Sequence, residues 1–460
     1  MKKKLFAMLL LCLCLCFSFS GCNFTLKAVD KMMHPPALSG ENAGIQKAFE
    51  KAVNDKNIVM KTPTTGDYRS SFILYDFDGD GEDEAIALYS YSTDETAVYL
   101  HFLDCRDGEW LSIADIKGSG SEVYKIDFCD MNSDGRSEIV VCWSLYESRG
   151  NKIMTVYEPD SSSGTFVLRS ILTENYSQSI TCDIDTDGKA EIFNVIISSS
   201  SDINKTYGRL FKMDDSGSIY LAGETEMTPA VSISLLKCET GSNPHIFVDS
   251  VISDSAVITD VIGLSDGKPV SLLTSGNSSD SPATERSSKL SFADIDKDGR
   301  FEIPVSLPLP NSYSVSGDDT EPLSLTVWYG LDNGTLYEKS ERLMLYSSSY
   351  MFSFDKKWVG TVCVKNDIQE RTSTFYLYDS TAQKNGAELF SVVTVPSTDW
   401  QHKPKDGYTV IFQTSTLTYA AKITEAGKNM KITEEYIREH SNAIESVSYT
   451  HLRAHETRHD

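Results

Sequence analysis

Asp76-Phe77-Asp78-Gly79-Asp80-Gly81-Glu82-Asp83-Glu84 decides how this chain is read, because three later segments repeat its plan. They are Asp130-Met131-Asn132-Ser133-Asp134-Gly135-Arg136-Ser137-Glu138, Asp183-Ile184-Asp185-Thr186-Asp187-Gly188-Lys189-Ala190-Glu191 and Asp294-Ile295-Asp296-Lys297-Asp298-Gly299-Arg300-Phe301-Glu302. Each sets oxygen-bearing side chains at positions 1, 3, 5 and 9, with glycine at 6. The starts lie 54, 53 and 111 residues apart, the last interval being close to two periods. A fixed period of this length marks a repeat architecture, in which stacked units bury one another's faces.

Two readings of the loop compete. One is a tight Asp-Gly turn between strands, held by Asx hydrogen bonds and needing no ion. The other is a Ca²⁺ loop, in which alternating carboxylates converge on a hard cation and glycine at 6 permits the bend. The turn alone does not explain four repeats of acid or Asn at 1, 3, 5 and 9, where like charges would repel unless a divalent ion relieved them. Loop 1 carries a formal charge of −4 at these positions, and loop 2 is weakened by Asn132. An EF-hand is excluded, since its bidentate Glu comes at 12 and here the acid comes at 9.

Around each loop the pattern is strands. In the first repeat these are Ser71 to Tyr75, Ala85 to Tyr91, Ala97 to Leu103 and, after Arg106-Asp107-Gly108, Trp110 to Ile116. The closing hairpin recurs at Gly164, Gly217, Asp266-Gly267 and Asp332-Asn333-Gly334, and such dipeptides are strong hairpin signals. Counting 54 residues from Asp183 reaches Lys237, where Lys237 to His245 fills the loop slot without the ligands, so no ion is expected there. Two further units without acids follow. One uses Tyr350-Met351-Phe352, Val359 to Val364, Thr374 to Tyr378 and Leu389 to Val395; the other uses Tyr408 to Phe412, Leu417 to Ile423 and Met430 to Ile437. The fold class expected is therefore all-β, a seven-bladed β-propeller of four-stranded blades over residues 68–440.

The Asp-x-Asp/Asn-x-Asp-Gly-x-x-Glu loop between strands resembles the FG-GAP and VCBS-type repeats of integrin α-subunit propellers and many bacterial surface proteins. The resemblance covers about residues 70 to 305 by motif and extends to about 440 by period alone. It implies Ca²⁺ ligands at Asp76, Asp78, Asp80 and Glu84; Asp130, Asn132, Asp134 and Glu138; Asp183, Asp185, Asp187 and Glu191; and Asp294, Asp296, Asp298 and Glu302. Position 9 is commonly Asp in the integrin-like pattern, so the longer Glu alters denticity. The whole chain looks like bacterial lipoproteins carrying this repeat, a likeness that supplies no activity.

The N-terminus reads as a targeting segment. Lys2-Lys3-Lys4 precedes an apolar run, and Phe19-Ser20-Gly21-Cys22 resembles a bacterial lipobox. Residues 1–21 are then a lipoprotein signal peptide, Cys22 the lipidation site, and 22–40 a tether. The expected location is the outer face of the cytoplasmic membrane, with the membrane as partner through that anchor. A short helix in 41–67 carries Ile45, Ala48, Phe49 and Val53 on one face. Six cysteines lie beyond Cys22, at 105, 129, 142, 182, 238 and 363; their spacing shows no zinc pattern and does not pair them. Residues 441–460 read as a disordered tail, and 447–460 as the conceptual translation of a sequencing adapter. The formal HExxH of His455-Glu456-Thr457-Arg458-His459 is therefore rejected as a zinc site.

A net charge of −24 argues against nucleic acid. No GxSxG, P-loop or dinucleotide fingerprint is present, and His34, His101, His245 and His402 are scattered. The expectation is a monomeric, non-enzymatic surface scaffold stabilised by Ca²⁺, binding an unidentified protein or glycan. The alternatives are a polysaccharide lyase or hydrolase, whose acid/base pair the many carboxylates would conceal, and an envelope assembly factor.

Overall fold

The computed structural model describes residues 41–53, 57–145, 152–160, 166–200, 203–273, 284–287, 290–402 and 405–444. The expected signal segment, Cys22, Gly164 and residues 445–460 lie outside them. Two compact units are present. One holds the described residues up to Thr62 with Arg69–Asp76 and Asp80–Gly118; the other holds Pro63–Tyr68, Phe77–Gly79 and the described residues from Ser119 onward.

The first unit is one helix on one sheet. Helix α1 (Glu41–Val53) precedes β1 (Ile58–Met60), β2 (Phe72–Tyr75), β3 (Glu84–Tyr91), β4 (Asp94–Arg106) and β5 (Glu109–Lys117). The order is β1-β3-β4-β5, with β2 also paired to β3. Strand β3 is buried along nearly its whole length, which suits its run Ala85-Ile86-Ala87-Leu88-Tyr89. The helix turns Ile45 and Phe49 onto Ala85, Ala87, Tyr89 and Leu103, the face its helical spacing predicts.

The second unit begins with three antiparallel meanders. They are β6 (Glu122–Cys129) to β9, with β7 (Glu138–Ser144), β8 (Lys152–Asp160) and β9 (Val167–Tyr176); β10 (Gln178–Cys182), β11 (Glu191–Ser200), β12 (Ile203–Met213) and β13 (Ile219–Met227); and β14 (Ser232–Cys238), β15 (Ile246–Ser253), β16 (Ala256–Ser265) and β17 (Lys268–Ser271). A two-residue strand β18 (Arg286–Ser287) adds to β16. Each meander is the four-stranded module a propeller blade uses, and each begins where the 54-residue period places it. The hairpin turns also form as read: Asp107-Gly108, Asp266-Gly267 and Asn333-Gly334 all take positive φ at both residues, the twist that two-residue hairpins need.

Beyond residue 290 the expectation of three further four-stranded blades fails. The strands are β19 (Ile303–Ser316), β20 (Asp319–Asp332), β21 (Thr335–Leu345), β22 (Tyr350–Ser353), β23 (Val362–Asp367), β24 (Thr372–Asp379), β25 (Lys384–Pro396), β26 (Thr409–Gln413), β27 (Leu417–Ile423) and β28 (Ser441–Ala443). They form one ten-stranded sheet in the order β26-β27-β25-β24-β23-β19-β20-β21-β22-β28. Two features cause the merger. Strand β19 runs past an irregularity between Pro308 and Tyr313, and its far end pairs in parallel with Lys365–Asp367 of β23. The innermost strand expected beside loop 4 shrinks to a single bridge between Ala293 and Glu302. One aromatic core, including Phe352, Trp358, Phe375, Phe390 and Tyr419, spans the whole sheet.

The expected strand Met430 to Ile437 is also corrected. Helices α2 (Ser397–His402), α3 (Glu425–Asn429) and α4 (Glu434–His440) interrupt the β pattern. The Thr433 hydroxyl caps α4 by accepting from Tyr436 N–H, and Glu434 and Glu435 follow in the first turn, so an N-cap signal outweighs the apolar alternation. Residues 441–443, expected in a disordered tail, instead form β28 against β22.

Candidate metal centre

All four loops share one backbone. Position 4 (Gly79, Ser133, Thr186, Lys297) and position 6 (Gly81, Gly135, Gly188, Gly299) both adopt positive φ. The position-1 aspartate accepts from the N–H of the position-6 glycine at 3.0 Å from Asp76, Asp130 and Asp183, and at 2.9 Å from Asp294. The position-5 aspartate accepts from the N–H at 7 in each loop. In loops 2, 3 and 4 the position-9 glutamate reaches back to the N–H at 2: Met131 to Glu138 at 2.8 Å, Ile184 to Glu191 at 3.0 Å and Ile295 to Glu302 at 2.9 Å. Buried apolar side chains at position 2, Met131 and Ile184 among them, pin the loop to the core. Within the second unit, Ser137 N–H donates to Phe77 C=O at 2.9 Å, and Ala190 N–H to Asp130 C=O at 3.0 Å.

Carboxylates converge in three of the four loops. Asp183, Asp185 and Glu191 bring oxygens within 4.8 Å of one another, as do Asp294, Asp296 and Glu302. In the first unit Asp76, Asp80 and Glu84 do the same; Asp78 falls in the Phe77–Gly79 stretch grouped with the other unit. Asp187 and Asp298 sit outside these sets. Loop 2 gathers no such cluster. Its Asp134 is held by the Arg136 guanidinium at 2.6 Å, and Asn132 donates to Asp134 at 3.3 Å.

Loops 3 and 4 each hold an ammonium that sequence reasoning missed. Lys212 of β12 pairs with Asp185 and, at 3.4 Å, with Glu191. Lys339 of β21 lies 2.8 Å from Asp296, 2.9 Å from Asp298 and 2.6 Å from Glu302. Burial disfavours the Lys339 ammonium, but its three carboxylate partners outweigh that and raise its pKa above the usual lysine value. Lys339 tests the loop 4 cradle: oxygens of three carboxylates meet one positive centre at distances only slightly longer than the 2.3–2.6 Å of Ca²⁺–O contacts. The donor set is all oxygen and suits a hard cation. Burial also pushes Glu138 and Glu191 up to about 7, and raises Glu302, so each buried carboxylate gains from a nearby positive charge.

The signal for Lys212 lay in register. Ile192 pairs with Phe211, so Glu191 and Lys212 stand opposite one another one step on. At the same step, past Ala85–Leu103 and Ile139–Tyr157, the first two sheets carry Asp104 and Glu158. Past Ile303–Tyr329 comes Gly330, and Lys339 reaches its loop from the next strand, where the pairing with β20 shifts.

The ligand-less slot has its own polar arrangement. The buried Glu239 carboxylate accepts from Phe301 N–H at 3.0 Å and pairs with Arg300 at 3.2 Å and His245 Nδ1 at 2.9 Å. His245 is therefore structural.

No protein-family model matches the chain, and no curated protein matches it. Among solved structures it is similar to a protein from Lactobacillus plantarum at 9% identity, with 70% of this chain and 84% of that chain covered and a TM-score of 0.29. It is also similar to the rhamnogalacturonan lyase YesW at 12% identity, covering 60% and 69%, TM-score 0.28, and to Saccharomyces cerevisiae Sqt1 at 9% identity, covering 74% and 92%, TM-score 0.28. Likeness at this level carries no functional argument.

Proposed function

We propose that this chain is a Ca²⁺-stabilised, propeller-type binding scaffold rather than an enzyme. The observation that carries the reading is the convergence of loop carboxylates on cation-sized centres in three repeats, on a shared hydrogen-bonded frame. Residues holding the ion would be Asp76, Asp80 and Glu84, with the corresponding acids of loops 3 and 4. A bound divalent ion neutralises carboxylates that otherwise repel and rigidifies the loops at one end of each meander. The lipid anchor at Cys22 and an outward-facing protein or glycan partner complete the reading.

Calorimetric titration of Ca²⁺ into the EDTA-treated protein tests it, alongside glycan and cell-wall binding screens. A Ca²⁺-dependent rise in melting temperature, diminished by Asp76→Ala or Asp185→Ala, supports it. A melting temperature indifferent to both EDTA and Ca²⁺ overturns the metal.

One observation favours the glycan-cleaving alternative. Burial, reinforced by the neighbouring Glu338, pushes Glu341 up to about 7, while a hydrogen bond from Lys356 holds Glu338 below its usual value. Carboxylates driven apart in this way are the pattern of a general acid beside an ionised partner. Loss of polysaccharide cleavage in both Glu338→Gln and Glu341→Gln would support that reading; a wild-type protein inert on extracellular polysaccharides would remove it.

A further inference from the structure

Cys182 ends β10, the innermost strand of its meander, one residue before the first ligand of loop 3. Cys238 ends β14, the innermost strand of the next meander, at the slot without ligands. The two strands run alongside one another within the second unit. Both side chains pack on the same apolar cluster of Ile184, Phe193, Val195 and Ile246, so the two thiols are neighbours across the β10–β14 boundary. Both are only partly buried, whereas Cys129, Cys142 and Cys363 are buried. Cys363 bonds to backbone carbonyls and to Asn385. Cys105, also partly buried, is the single described cysteine of the first unit. Among the described residues, then, Cys182 and Cys238 are a pair of thiols that pack on one cluster and stay partly exposed to an oxidant.

We infer that Cys182 and Cys238 form a disulfide that staples two consecutive sheets beside loop 3. The oxidant is a disulfide, either a small dithiol or glutathione disulfide or that of an oxidising protein. One thiol loses its proton and attacks a sulfur of the oxidant, expelling a thiolate; the second cysteine then attacks the mixed disulfide and expels the other. The S–S bond of the oxidant is broken and one S–S bond forms here. Two cysteine thiols are oxidised, the oxidant is reduced to two thiols, and the two protons pass to them. An exported chain meets such an oxidant in the compartment where disulfides persist. The bond would close a loop over residues 183–237, which takes in β11, β12 and β13.

The purified protein, equilibrated with glutathione disulfide and then alkylated, digested without reduction and analysed by mass spectrometry, provides the test. The expected result is a Cys182–Cys238 cross-linked peptide, two fewer titratable thiols than after dithiothreitol, and a melting temperature several degrees higher in the oxidised form. Comparing oxidised and reduced wild type keeps the test independent of whether Cys182→Ser or Cys238→Ser folds. A full set of thiols after oxidation, or a dominant cross-link through any other cysteine, overturns the assignment. Neither outcome depends on Ca²⁺, so the staple and the metal fail separately.

Discussion

Replacing Lys339 by methionine asks whether an ammonium stands in for a metal ion in loop 4. The substitution keeps most of the apolar stem and removes the charge. The decisive partner is Glu302, 2.6 Å away and with its side chain 1% exposed, against 19% for Lys339. Stripping one partner from a buried pair costs about 3–5 kcal/mol, and the residual exposure of Lys339 selects the lower end, about 3 kcal/mol. Asp296 and Asp298 are 42% and 46% exposed, so their pairs add under about 1 kcal/mol each. A divalent ion at one hundred times its dissociation constant returns about 2.7 kcal/mol, nearly the amount lost. In EDTA, hydrogen exchange across residues 291–303 should therefore quicken by roughly 100-fold in Lys339→Met, at about 1.4 kcal/mol per tenfold, if local opening governs exchange. Saturating Ca²⁺ should restore most of the protection, while changing this segment of the wild type far less. Equal exchange of the two proteins in EDTA, or equal protection of both by Ca²⁺, would refute the substitution of one cation for the other.

Three further outcomes follow from other parts of the molecule. Arg286 and Asp249 are fully buried and paired at 2.6 Å, so Arg286→Met should lower stability by about 3–5 kcal/mol in urea unfolding, with much of the loss recovered by adding Asp249→Asn. Thr186 is a β-branched residue held at φ 60°, where the equivalent residue of loop 1 is Gly79; Thr186→Gly should raise the urea midpoint, by about 1 kcal/mol of relieved strain at most. Glu341, pushed up to about 7, keeps its proton in the folded protein at pH values where the unfolded chain has lost it. Its contribution to stability is thus fully present below about pH 4.5 and lost as pH rises through about 7, so Glu341→Gln should match the wild type at pH 4.5 and melt higher at pH 8.

The period was the most legible part of the chain. Loops recurring every 54 residues located the first four sheets, and the Asp-Gly and Asn-Gly turns located their outer hairpins. The period could not show that β19 would outrun its sheet, because residues 303–316 alternate acceptably as one strand or two. Nor could it show that Thr433 would start a helix where Met430 to Ile437 reads as a strand. In the loops, the ligand pattern gave the acids but not which of them converge. Asp187 and Asp298 stay outside the converging sets although, like Asp80, they accept from the N–H at position 7, and Arg136 occupies Asp134. Lys212 and Lys339 were hidden because they come from strands distant in sequence, and only the pairing register brings them to the acids.

That register also ranks the loops. The residue opposite the position-9 glutamate is Lys212 in the third sheet, whereas it is Asp104 in the first. A lysine there brings a positive charge to Asp185 and Glu191, and an incoming Ca²⁺ must displace it; Asp104, itself paired with Arg106 at 2.6 Å, sets no cation in the way. Loop 4 likewise holds a cation, Lys339, with Gly330 at the register position. Ca²⁺ binding should therefore divide into a tighter class at loop 1 and a weaker one at loops 3 and 4. The affinities expected of extracellular modules, about 10⁻⁴ to 10⁻³ M, leave room for that separation. Calorimetric titration should lose its tighter phase in Asp76→Ala and keep it in Asp294→Ala, while Lys212→Met should move loop 3 into the tighter class. A titration in which Asp294→Ala removes the tighter phase, or in which Lys212→Met weakens Ca²⁺ binding, would mean that the lysines support the ion rather than replace it.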